Sequence, residues 1–132
     1  MTTIAATPGL TLRTALRADG WSTGVFGVVL LAAAPLLREP LGLPTAWSVP
    51  FGVAMLGGAL ALLLIAGYPE IPARAGQAVV AVNLASGIAM VVLAFTDLIP
   101  LTGLGVVFLL AGAAVVVAFG ELEYVALRRA TR

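Results

Sequence analysis

The sequence predicts an all-α integral membrane protein: a four-helix bundle running up-down-up-down with short loops. Three observations predict it. Hydrophobic residues make up 61% of the 132 positions, charged residues 10%, and mean hydropathy is +1.13. A water-soluble domain of this length needs far more charge to cover its surface. The formal charges, seven basic and six acidic, fall outside four apolar runs at 20–37, 40–69, 75–96 and 98–120. A bilayer core of roughly 30 Å takes about 20 helical residues to cross, so each run holds one span. Finally, the arginines alternate sides. Arg13 and Arg17 precede the first span, Arg74 lies between the second and third, and Arg128, Arg129 and Arg132 follow the fourth; only Arg38 falls opposite.

Residues 1–18 are expected to form a cytoplasmic tail. Asp19-Gly20-Trp21-Ser22 then reads as a helix start, with Asp19 capping free N–H groups and Trp21 at headgroup level. The first span covers 19–37, with Pro35 in its last turn. Arg13 and Arg17 before an apolar stretch ending in Ala32-Ala33-Ala34 imitate a signal peptide. Pro35 and the continuing Leu36-Leu37 favour an uncleaved anchor. The second span covers 48–68, with Pro50 in its first turn, where a missing N–H costs little. A short loop, Glu70 to Arg74, leads to the third span at 75–96. Asp97 is expected to cap the fourth, at 100–120, whose helical pattern continues through 121–132 into water.

Six arginines against one place both termini in the cytoplasm by the positive-inside rule. Arginine without lysine, together with heavy use of Ala, Gly, Leu and Val, suggests a GC-rich genome, hence a bacterial cytoplasmic membrane.

The absences narrow the chemistry. The chain has no Cys and no His, which removes thiolate and imidazole metal sites and imidazole general-base catalysis. No metal, no cofactor and no catalytic residue is expected. A net charge of +1 with no basic stripe argues against nucleic acid as a partner. No acid or base falls near the middle of any span, which counts against proton coupling. Glu121 and Glu123 project to different sides of a helix and make no obvious carboxylate dyad.

What remains is packing and rim. Small residues recur at helix-contact spacing: Gly20 and Gly24, Ala54 and Gly58, Gly57 and Ala61, Ala81 with Ala85 and Ala89, and Ala114 and Ala118. They are expected chiefly to hold one monomer together. Asn83 and Ser86 share a face of the third span and should point inward, either bonding another helix or lining a pocket. Glu70, Arg74, Glu121, Glu123, Tyr124, Arg128 and Arg129 form a cytoplasmic rim for anchoring, ion pairing or docking, with one Glu pairing to Arg74 or Arg17. The expected function is therefore non-enzymatic: an accessory protein or homo-oligomer acting through helix packing, in contact with the lipid bilayer and a second copy or a membrane partner. The alternative is a channel or carrier for a small neutral or apolar solute, with Asn83 and Ser86 facing the bundle interior.

Overall fold

The computed structural model describes residues 11–130 and is all-α. Its helices are α1 (Leu12–Leu41), α2 (Thr45–Ala66), α3 (Ala73–Phe95) and α4 (Gly103–Ala130). All four are long and apolar enough to cross a membrane, so by length and composition the chain is a multi-pass membrane protein. Most of the expected N-terminal tail and the terminal Arg132 lie outside the described residues.

The first helix starts seven residues before Asp19. Thr11 caps it, its hydroxyl accepting from the Thr14 N–H at 3.2 Å. A threonine caps nearly as well as an aspartate, and the spacing of Leu12, Ala15, Leu16, Asp19 and Gly20 gives the extra turns a continuous inward face. Asp19 is therefore not a cap but an interior residue, 1% exposed. The helix continues through Pro35 and Pro40 and stops at Gly42, whose φ of 64° is left-handed. The second helix begins at Thr45, so Pro50 is its sixth residue rather than part of its first turn. The third matches expectation within two residues.

The fourth helix starts at Gly103, and Asp97 does not cap it. Thr102 does: its hydroxyl accepts from the Gly105 N–H at 3.1 Å and donates to the Pro40 carbonyl at 2.7 Å. Asp97 lies in the turn before, too far back to reach the first free N–H groups. Residues 121–130 extend α4 without a break, as expected.

The helices form two hairpins. α1 packs chiefly on α2 and α3 on α4, while α1 against α4 joins the pairs. At the end carrying the connections α1–α2 and α3–α4, Leu30, Leu41, Leu43 and Ile99 form a core with Trp47 and Phe51 packed against it. The Thr102 N–H reaches the Leu41 carbonyl at 3.0 Å there, and Gly42 backs onto the Pro100 carbonyl. At the opposite end, which holds both chain termini, Leu12, Leu16, Leu62, Ala66, Val79, Ala126 and Leu127 pack together. Arg13 fastens that end, its guanidinium donating to the carbonyls of Ala66, Tyr68 (2.7 Å) and Pro69 (3.1 Å).

Small residues divide between inside and outside. Gly20 lies against Leu63, Gly27 against the Gly52 carbonyl, and Gly87 against Val117. The stripes on α2, α3 and α4 do not hold the monomer together. Ala54, Gly57, Gly58 and Ala61 are exposed, as are Ala81, Ala85, Ala89, Ala114 and Ala118. Nothing lies within 4 Å of a Cβ built on Gly57 or Gly58. The buried stripe sits on the opposite side of α2, at Gly52, Ala59 and Ala66.

These placements separate two glycine substitutions. A Cβ on Gly42 would collide with the Pro100 oxygen, and the left-handed φ alone costs about 1–2 kcal/mol. Gly42→Ala is expected to lower stability by at least that much. Gly57→Ala should be neutral or raise it by up to about 1 kcal/mol. Reversible unfolding in detergent micelles measures both.

Candidate functional site

The only polar or charged side chains buried among the described residues are Asp19, Ser48 and Glu123. Ser48 returns its hydroxyl to the Pro44 carbonyl of its own helix start. Asp19 and Glu123 instead meet Asn83 between the two hairpins. Asp19 lies seven residues after the start of α1, and Glu123 seven residues before the end of α4. At 1.5 Å per residue, each is about 10 Å along its helix from the terminal end. Asn83 is at the middle of α3.

The geometry is closed by one amide. Asn83 Nδ2 donates to Asp19 Oδ2 at 2.9 Å and to Glu123 Oε1 at 2.6 Å. An amide nitrogen carries two hydrogens, so both are used. Asp19 Oδ1 accepts from the Thr23 hydroxyl at 3.0 Å, one turn along α1. Glu123 Oε2 is fully buried and has no hydrogen-bond partner, and Asp19 is the acid next to the Glu123 carboxyl. Three of the four carboxyl oxygens are thus supplied with donors, and the fourth is not.

Close helix approach makes this arrangement possible. A Cβ built on Gly120 would lie 3.2 Å from the Asn83 Cβ, which places α3 and α4 at glycine distance at the level of the acids. On the α2 side, Leu62 and Leu63 flank Gly20. The terminal core closes the cluster off below.

The expected site residues divide accordingly. Asn83 points inward as predicted, but its partners are acids. Ser86 is half-buried and takes no part in the cluster. Glu123 leaves the rim altogether, which overturns both its rim assignment and the expected pairing of that Glu with Arg74 or Arg17. Glu70, Arg74, Glu121, Tyr124, Arg128 and Arg129 are exposed at the terminal end, and Arg128 lies over the Tyr124 ring at 5.7 Å. Glu121 and Glu123 indeed face apart. The carboxyl pair forms between Glu123 and Asp19 instead, which a search within one segment could not find. A signal existed: Glu123 falls on the spacing of Gly120, Ala126 and Leu127, all buried, just as Asp19 falls on that of Leu12, Ala15 and Leu16.

Two surface hollows, of about 330 and 510 Å³, lie at the loop end. The first is lined by Pro35, Arg38, Glu39 and Pro100 among others, and the second by Phe95, Asp97 and Leu101. Neither reaches Asp19, Asn83 or Glu123. Comparison with family models, with curated proteins and with solved structures found no match.

Asn83→Ala strips both carboxyls of their amide donor and is expected to cost about 2–4 kcal/mol, the range for orphaning buried polar and charged groups. Ser86→Ala should cost under about 0.5 kcal/mol. Equal losses for the two substitutions, measured by detergent unfolding, would overturn the assignment of Asn83 as the bridge.

Proposed function

We propose that the chain is a non-enzymatic, proton-binding membrane protein, a carrier-type bundle whose Asp19–Glu123 pair takes up and gives off one proton. One observation carries this reading: Glu123 Oε2 is buried without a donor beside a second carboxyl. Two carboxylates held by the same amide nitrogen in an apolar surrounding repel and are poorly solvated. A single shared proton removes the repulsion and supplies the missing hydrogen bond. Ionisable groups inside a membrane bundle are costly and mark proton or ion pathways. No acid falls near the middle of a span, which weighs against proton coupling from sequence alone; Asp19 and Glu123, about 10 Å from their helix ends, are nonetheless buried inside the bundle. The solute reading of Asn83 changes with it: the amide faces acids rather than a neutral solute.

The arginine count supports an orientation with the terminal end in the cytoplasm, and the composition a bacterial inner membrane. The bilayer is the first partner on this reading.

The test is twofold. Infrared difference spectra of the protein in bilayers should contain a protonated-carboxyl C=O band that shifts or vanishes in Glu123→Gln. Vesicles holding the protein and an internal pH dye should conduct protons under an imposed potential, and Asp19→Asn should reduce that flux to the level of empty vesicles. Absence of the band would overturn proton binding. A band without flux would overturn the carrier reading and leave a static proton.

A second reading, helix packing with a second copy, is favoured by the outward face of α2, where Ala54, Gly57, Gly58 and Ala61 leave the backbone open to a neighbour. Lipid tails are as apolar as leucine, so a smooth face gains by docking another helix closely. On this reading a Gly58→Cys variant forms disulfide-linked dimers in bilayers, and Gly57→Leu abolishes them. Failure to cross-link would remove it.

A further inference from the structure

The two ends of the hairpin junction are built from different chemistry. At the loop end the polar contacts across the junction end on backbone carbonyls. The Thr102 N–H bonds the Leu41 carbonyl, the Thr102 hydroxyl bonds the Pro40 carbonyl, and Gly42 and Gly105 lie against the Pro100 and Leu41 carbonyls. None of these groups titrates. Toward the terminal end, a hydrogen bond from Asn83 to Asp19 crosses between the hairpins, beside the neighbouring Asp19 and Glu123 carboxyls.

From this contrast we infer that loss of the shared proton parts the two hairpins at their terminal end, with the loop-end backbone junction as the pivot. The inference rests on the proton-binding reading above and adds the movement that binding controls. In the step itself a carboxyl O–H bond breaks, its electron pair stays on the oxygen, and the proton passes to water. Asp19 on the first hairpin and Glu123 on the second are then both anionic across the junction.

The groups facing the pair make the outcome one-sided. Among the described residues, α1 contributes Asp19 and Thr23 and α3 the neutral Asn83, while the apolar Leu62 and Leu63 of α2 stand against the adjacent Gly20. Among the arginines of that end, Arg13 is bonded to the carbonyls at the end of α2, Arg17, Arg74 and Arg129 are exposed, and Arg128 lies over Tyr124. Asn83 can donate one hydrogen to each carboxylate but cannot neutralise either. The terminal core of Leu12, Leu16, Leu62, Val79 and Leu127 holds the two hairpins together by apolar packing, and this is the contact that repulsion between the two carboxylates must overcome. Within each hairpin, glycine-close packing keeps α1 on α2 and α3 on α4, so the hairpins move as units.

The chain contains no cysteine, so paired spin labels can be placed cleanly on the full protein in lipid nanodiscs. One pair, Tyr68→Cys with Val125→Cys, reports the terminal end, and another, Leu36→Cys with Leu104→Cys, the loop end; all four positions are exposed. Pulsed dipolar spectroscopy is run across a pH titration, with the carboxyl infrared band followed in parallel. The terminal pair is expected to lengthen by several ångströms as the band is lost, while the loop pair stays fixed. Asp19→Asn, and independently Glu123→Gln, should hold the terminal pair at its short distance at every pH. If the band is lost and the terminal distance does not change, the movement is refuted while proton binding stands. If both pairs lengthen together, the loop end is not a pivot. If no carboxyl band titrates, proton binding itself fails and the movement with it.

Discussion

The amide nitrogen of Asn83 is the point on which the interior of this bundle depends. Its two hydrogens reach two acids on two other helices, and through them α1, α3 and α4 are held in register at one level. In water, burial of leucine and valine would dominate such an assembly. In a bilayer that term nearly vanishes between helices, because the lipid is as apolar as the partner helix. Directional contacts and close backbone packing then decide how the helices meet. The exposed side chains agree: Val25, Leu60, Val82, Ile88 and Val107 all face outward, where lipid is the natural neighbour.

Close packing and the polar cluster support one another. Gly20 is the residue after Asp19, and Gly120 is one turn from Glu123; each admits a neighbouring helix at the level of the acids. Larger residues at either position would push the helices apart and lengthen the hydrogen bonds that Asn83 makes. The loop end achieves the same proximity without charge. There Gly105 approaches the Leu41 carbonyl, and Phe26 of α1 meets Phe108 of α4 at 5.5 Å between ring centres. One junction contains carboxyl groups and the other is made of backbone carbonyls, a hydroxyl and aromatic rings.

Much of the architecture was legible in the sequence. Four apolar runs of spanning length gave the helix count, and their alternation gave the up-down order, because hydropathy reads a segment's surroundings directly. Helix starts were less legible. Asp19 and Thr11 are both acceptable caps, and a charge at the edge of an apolar run favours Asp19 on sequence alone, which hides its inward position. Glu123 is hidden in the same way, because it follows a span and neighbours arginines. Asn83 is legible as inward-facing, since an amide turned to lipid lacks partners, but one segment cannot reveal what another brings to meet it. The small-residue stripes failed for a related reason. Spacing tells that residues share a face, and on α2 two such faces exist, one inside at Gly52 and Ala59 and one outside at Gly57 and Gly58.

The orientation of the Asn83 amide also bears on which ion suits the site. A metal cation between two carboxylates is served by oxygen ligands, and an amide contributes its carbonyl oxygen to such a shell. Here the amide turns its nitrogen to both acids, so it acts as a donor between acceptors. Among the described residues no group of three acidic, histidine or cysteine side chains gathers to hold a metal. The nearest hydroxyl, Thr23, is likewise directed at Asp19 as a donor. Among the described residues, the polar neighbours of the pair thus supply hydrogen rather than oxygen, and the unfilled position, Glu123 Oε2, lacks a hydrogen too. A proton completes that pattern, whereas a metal cation would require Asn83 to turn over and both of its present hydrogen bonds to break.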